Sequence, residues 1–96
     1  MMTFDDINFT PHECGGIKGK LKVNEHTVSV LGGFGFYSEP RENLTTPDSF
    51  EQFEVAVFAP NGDWATQVFF PNIHDDVIGW QTRDDINELI KKIQGE

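Results

Sequence analysis

The chain has 96 residues, of which 38% are hydrophobic, and it includes nine phenylalanines and two tryptophans. This length indicates one domain spanning residues 1–96, and its aromatic content is sufficient for a packed core, which argues against a disordered acidic tail. Sixteen acidic residues against seven basic ones give a net charge of −9, and a negative field of this size repels nucleic-acid phosphates and anionic lipid headgroups.

Compartment and covalent cross-links follow from the N-terminus and the cysteine content. The opening MMTFDDINFT lacks the basic and apolar regions of a signal peptide, so we expect a cytoplasmic protein. No run approaches the roughly 20 apolar residues of a membrane span. Cys14 is the single cysteine, which excludes an intrachain disulfide.

The first part of the chain predicts a β-hairpin. Residues 1–15 contain scattered apolar residues, which fit either an edge strand or an ordered arm. Segments 16–23 and 26–32 alternate strictly and flank Asn24-Glu25, so a two-residue turn is expected there. That turn places three apolar pairs on one face, with Lys18, Lys20 and Lys22 on the other: Val23 with His26, Leu21 with Val28, and Gly19 with Val30.

Two irregular segments follow the hairpin. The stretch GGFGFYSEP (32–40) lacks the GxGxxG order of a phosphate loop, and its glycines indicate a bent or third strand that Pro40 ends. Residues 38–50 are polar and contain two prolines, which predicts a long loop. Such a loop is either an ordinary connection or a functional one.

The middle of the chain predicts a second hairpin. Segments 53–59 and 64–70 flank Pro60-Asn61-Gly62-Asp63, and Asn-Gly is the strongest signal for a type I′ turn. This register produces a coherent apolar face: Ala59 with Trp64, Val57 with Thr66, Val55 with Val68, and Phe53 with Phe70. The opposite face carries Phe58, Ala65 and Phe69 and is mixed.

The C-terminus predicts an amphipathic helix. Residues 72–76 indicate a crossing loop and residues 77–80 a short apolar segment, after which Thr82 is a natural N-cap. Acidic residues in the first turns and Lys91 and Lys92 in the last turn suit the helix dipole. The apolar stripe has i, i+3, i+4, i+7 spacing and consists of Ile86, Leu89, Ile90 and Ile93. Gly95 ends the helix.

These elements predict an α+β fold. We expect a largely antiparallel sheet of four to six strands, built from two β-hairpins, with the C-terminal amphipathic helix packed on one face. The sequence contains no internal repeat, low-complexity run or domain boundary.

Residues with catalytic or metal-binding chemistry do not form a recognisable pattern. His12 and Cys14 differ in spacing from structural-zinc pairs, and no second Cys/His pair exists. Asp75 and Asp76 are consecutive, so in an extended chain their carboxylates point to opposite faces. We therefore expect no enzymatic activity, no metal and no cofactor. The Lys18/Lys20/Lys22 stripe falls short of the basic footprint needed for nucleic-acid binding.

The acidic residues suggest a partner-binding surface. Residues 38–90 carry eleven acids against two arginines, a net charge of −9, whereas residues 1–37 sum to −1. We expect an acidic loop–helix surface that binds a basic protein, with His74-Asp75-Asp76 starting an acidic edge that the helix continues. The candidate residues are Asp75, Asp76, Asp84, Asp85, Glu88, Glu39, Glu42 and Asp48. In charge and size the chain is similar to small acidic proteins that imitate DNA phosphates, including phage-encoded inhibitors of host defence, although no motif identifies such a family.

Two alternatives remain open at this point. One is a self-associating accessory protein that forms a homodimer through exposed strand edges and the Phe58/Ala65/Phe69 patch. The other is a small metal- or ligand-binding domain. Neither a membrane nor a nucleic acid is an expected partner.

Overall fold

The fold is α+β, as the sequence predicts. The computed structural model describes residues 1–95, and it contains one antiparallel five-stranded sheet in which sequential strands are neighbours. The strands are β1 (Asn8–Pro11), β2 (Ile17–Val23), β3 (His26–Gly32), β4 (Phe53–Phe58) and β5 (Ile78–Gln81). A short helix α1 (Thr66–Phe69) precedes β5, and the C-terminal helix α2 (Arg83–Gln94) follows it. Two 3-10 turns occupy Phe4–Asp6 and Pro47–Ser49.

Helix α2 begins and packs as predicted. The Thr82 hydroxyl accepts from the Asp85 amide, and the Asp85 carboxylate accepts from the Thr82 amide, which forms a capping box. The predicted stripe is buried against one face of the sheet, here called the inner face: Ile86, Leu89, Ile90 and Ile93. In the part of the chain that the structure describes, no helix packs on the other face, here called the outer face.

The first hairpin is confirmed. Val23 pairs with His26, Leu21 with Val28 and Gly19 with Val30. Asn24 and Glu25 both adopt positive φ, 50° and 70°, as a type I′ turn requires. The N-terminal segment contributes an edge strand, because β1 pairs antiparallel with β2.

The prediction of a second hairpin is wrong after its first strand, which is β4. Its second strand does not exist: only Trp64 forms a bridge, and that bridge is to Phe58 rather than to Ala59. Residues 66–69 form α1 instead. The true partner of β4 on this side is β5, with Phe53 opposite Gln81 and Val55 opposite Ile78.

Turn chemistry explains the error. The Gly62 amide donates to the Ala59 carbonyl, so the turn starts one residue earlier than an Asn-Gly type I′ turn. Pro60 fixes its own φ and favours the second position of a type I turn, with Gly62 at positive φ (92°) after it. The Thr66 hydroxyl then accepts from the Val57 amide at 2.9 Å and donates to the Asp76 carbonyl at 2.7 Å. A side chain thus takes the place of a second strand beside Val57.

The glycine-aromatic run forms a bend and no third strand. β3 ends at Gly32, and residues 34–37 are turns and bends. The fully buried Ser38 holds the bend, because its hydroxyl contacts the Gly33 amide and carbonyl, each at 3.1 Å, and the Pro40 carbonyl at 2.9 Å.

Replacing Thr66 by valine tests the α1 arrangement. Thr66→Val keeps the shape but leaves the buried Val57 amide and Asp76 carbonyl without this partner, so the free energy of unfolding should fall by about 1–3 kcal/mol. Urea denaturation measures this loss. Thr27→Val on the outer face of β3 is the matched control and should change stability by less than about 0.5 kcal/mol. Equal stability of the two variants would contradict this placement of Thr66.

Candidate functional site

All eight candidate acidic residues are exposed, and six of them lie at one end of the sheet. This is the end where β5 passes into α2, and we call it the acidic end. Glu39 reaches it because its backbone pairs with Gln52, beside the first residue of β4. The six residues are Glu39, Glu42, Asp48, Asp84, Asp85 and Glu88.

Arg83 joins the long loop to the start of α2. Its guanidinium donates to the Phe50 carbonyl at 2.8 Å and to the Pro47 carbonyl at 2.6 Å. The same group stacks on the rings of Phe4 and Phe53. The loop segment that carries Asp48 is therefore fixed against the helix turn that carries Asp84.

Asp75 and Asp76 lie elsewhere. The Asp76 carbonyl accepts from Thr66, and the Asp75 carbonyl accepts from Gln67, so both residues sit beside α1. The Phe69 carbonyl at the end of α1 accepts from Lys92, which belongs to the last turn of α2. A 12-residue helix is about 18 Å long, so the structure separates this pair from the acidic end instead of forming one continuous edge.

The carboxylates of the acidic end differ in their internal contacts. Asp85 caps α2, and Glu88 lies 3.8 Å from Lys91. Within residues 1–95, Glu42, Asp48 and Asp84 make no side-chain hydrogen bond or ion pair. Their charges are available to a partner without loss of an internal contact.

Two exposed aromatic side chains, which the sequence analysis did not select, stand at the same end. Tyr37 is 43% exposed and Trp80 is 51% exposed, and their ring centroids are 5.2 Å apart. The Arg41 guanidinium lies 5.4 Å from the Tyr37 ring centroid. Trp, Tyr and Arg are the residues most enriched in binding hot spots.

Several buried features hold this aromatic pair in place. The Trp80 amide donates to the Tyr37 carbonyl at 2.9 Å, and the Tyr37 amide donates to the carboxylate of Glu54, which is only 8% exposed. A Cβ at Gly79 would lie 2.5 Å from the Tyr37 Cβ, so only glycine allows this approach. A bulge in β5 gives Trp80 a φ of 54°, an unusual value for a bulky residue.

The lysine stripe lies on the outer face, as the first hairpin requires. Lys18 pairs with Glu13 and Lys22 with Glu25, whereas Lys20 has no ion pair within residues 1–95. The hydrogen bond from Lys18 holds the pKa of the Glu13 carboxyl below its usual value. Shallow concavities of about 390 Å³ and 330 Å³ meet at Lys20, and Phe58 lines the larger one.

The patch that suggested a sheet-mediated homodimer is not on the surface. Ala65 and Phe69 are 6% and 4% exposed and belong to the core, because α1 turns them inward. Phe58 instead stacks with Trp64, at 4.6 Å between ring centroids. The prediction of a homodimer interface formed by Phe58, Ala65 and Phe69 is therefore wrong.

The histidines and the cysteine lie in ordinary surroundings. The Cys14 amide donates to Nδ1 of His12, whose ring packs edge-on against Phe36. His26 packs edge-on against Phe69, and His74 is exposed in the loop before β5. Among residues 1–95, no group of three or more His, Cys, Asp or Glu side chains is arranged to hold a metal ion.

Comparison of the chain with protein-family models, with curated proteins and with solved structures finds no match. Among the described residues, no helix has the length and apolar character needed to cross a membrane. The class is therefore defined by the fold alone: an α+β domain with a five-stranded antiparallel sheet and the C-terminal helix α2 on its inner face.

Gly79→Ala tests how the aromatic pair is held. The added methyl group must displace Tyr37, so the free energy of unfolding should fall by roughly 1–3 kcal/mol. Gly35→Ala is the matched control, since its Cβ would meet nothing within 4 Å and should change stability by less than about 0.5 kcal/mol. Thermal or urea unfolding of both variants measures the difference, and a Gly79→Ala protein as stable as the control would contradict the close approach of Tyr37.

Proposed function

We propose that this protein is a non-enzymatic interaction module whose acidic end binds a basic surface of another protein. The observation that carries the proposal is the exposed carboxylates of the acidic end that have no internal partner, above all those of Glu42, Asp48 and Asp84. A protein surface that binds nucleic acid has the complementary charge, so we propose a nucleic-acid-binding protein as the partner class.

The distribution of positive charge supports this surface over others. Three of the five lysines lie on the outer face, and the other two are in the last turn of α2. The two arginines of the acidic end are engaged, Arg83 with loop carbonyls and Arg41 with Tyr37. The six carboxylates of this end outnumber its two arginines, so the field of this end stays negative.

The acidic residues of the long loop support a binding role more directly than the acidic residues of α2 do. Asp84 and Asp85 stabilise the N-terminus of α2 through the helix dipole, so their presence has a structural reason. Glu39 and Glu42 lie in the loop and stabilise no helix terminus. Their placement at the same end of the sheet as the helix start adds charge beyond what the fold requires, and this excess favours a basic partner.

Neutralising three carboxylates tests the proposal. In the variant Glu42→Gln/Asp48→Asn/Asp84→Asn, capture of basic proteins by the immobilised chain should drop at least several-fold, because exposed charges attract over about 8 Å at physiological ionic strength. Capture by the unchanged protein should also weaken as salt rises from low to high concentration.

The matched control removes equal charge elsewhere. Glu25→Gln/Asp63→Asn/Asp76→Asn also reduces the net charge by three, but its residues lie at the β2–β3 turn, in the turn after β4 and beside α1, outside the acidic end. It should retain capture of the same proteins, identified by mass spectrometry. Equal retention by both triple variants would refute the proposed surface, and unfolding curves establish that each variant is folded.

A further inference from the structure

We propose that the exposed ring of Trp80 anchors the partner by receiving an arginine or lysine side chain from a basic segment of it. This inference rests on the proposed function, because it names the contact that the acidic end makes with its basic partner. In the sequence, Tyr37 directly precedes the long loop and Trp80 lies two residues before the Thr82 cap of α2, and both the loop and the helix start carry candidate carboxylates.

Several structural features that are unfavourable for folding hold the Tyr37–Trp80 pair in a position where it stays exposed to solvent. They are a largely buried carboxylate (Glu54), a glycine that permits close approach (Gly79) and a strained φ at Trp80. Residues held in sparsely populated backbone conformations concentrate at ligand clamps and binding sites. None of these features buries Trp80, which keeps half of its surface in contact with solvent.

Arginine side chains of the protein lie over several of its aromatic rings. Arg41 stacks on Tyr37, and Arg83 stacks on Phe4 and Phe53. Within residues 1–95, no lysine or arginine lies over the Trp80 ring, although tryptophan is the strongest cation–π partner. A cation from another chain would therefore find the face of the Trp80 ring unoccupied by a lysine or arginine of residues 1–95.

Charge complementarity selects a basic peptide segment over a nucleic-acid base. Glu39 lies two residues from Tyr37, so its Cα is within about 7.6 Å of the Tyr37 Cα. The acidic end, with six exposed carboxylates against two arginines, attracts a guanidinium or an ammonium group and repels a phosphate backbone. A stacked base would bring its phosphate into the same negative field.

Trp64 provides an internal control at the other end of β4. It is 53% exposed and stacks on Phe58, so it resembles Trp80 in exposure and in having an aromatic neighbour. Phe53 and Phe58 are five residues apart in β4, which separates the two sites by about 17 Å. The charged residues that line the concavity at Phe58 are Lys20, Lys22 and Glu25, so the surroundings of this second site are not acidic.

The test uses an octa-arginine peptide as the probe, titrated into the whole chain at physiological ionic strength. Indole N–H signals of the two tryptophans report each site separately in NMR spectra. We expect a saturable shift of the Trp80 signal and little change of the Trp64 signal. Trp80→Leu, which keeps an apolar side chain but no ring, should weaken binding roughly 2- to 30-fold. Trp80→Phe should lose less, and Trp64→Leu should bind like the unchanged protein.

The outcomes separate this inference from the proposed function. If Trp80→Leu binds the peptide as the unchanged protein does while Glu42→Gln/Asp48→Asn/Asp84→Asn binds it less tightly, Trp80 is not the anchor and the acidic surface stands. If neither variant loses affinity, both proposals are overturned. A single-stranded oligonucleotide that shifts the Trp80 signal when octa-arginine does not would replace the basic partner by a nucleic acid. Thermal unfolding confirms that each variant is folded.

Discussion

The packing of α2 on the inner face of the sheet is the interaction on which the rest of the structure depends. Its four apolar residues are between 0% and 3% exposed, and they cover the buried side of the central strands. Within residues 1–95, α2 is the one long helix, and the part of the outer face that carries Lys20 and Lys22 remains exposed to solvent. The direction of α2 then decides which end is acidic, because the N-terminal turn of a helix favours carboxylates and the last turn favours lysines.

Arg83 extends that packing to the long loop. Arg83 is the first residue of α2. Its guanidinium donates to two loop carbonyls and so fixes the loop, and it also stacks on two core aromatic rings. The loop thereby becomes part of the domain surface instead of an independent arm. This contact fixes the loop segment that carries Asp48 against the helix turn that carries Asp84, and it gives the acidic end a defined geometry.

Elements governed by local periodicity could be predicted from the sequence. The α2 stripe and its Thr82 cap, and the register of the first hairpin, depend on contacts among residues close in the chain. The second hairpin could not be predicted in this way. Its outcome was decided by Pro60, which shifted the turn by one residue, and by the Thr66 hydroxyl, which bonds to the Val57 amide in β4 and to the Asp76 carbonyl in the loop before β5.

The candidate site could be predicted only as charge. Exposure of the eight carboxylates follows from composition, but the separation of Asp75-Asp76 from the helix start depends on the position of α1 beside the last turn of α2. The Tyr37–Trp80 pair required a bulge and a glycine approach that join two segments more than forty residues apart. A glycine directly before an exposed tryptophan, in IGW, was the signal available in the sequence.

Amide hydrogen exchange of the protein, alone and bound to a captured basic protein, tests the central claim most directly. If the acidic end is the binding surface, partner binding should slow exchange in residues 37–51 and 79–88 and leave residues 59–64 and 72–76 unchanged. Protection of the β2–β3 lysine stripe or of residues 59–64, with none at the start of α2, would contradict the account.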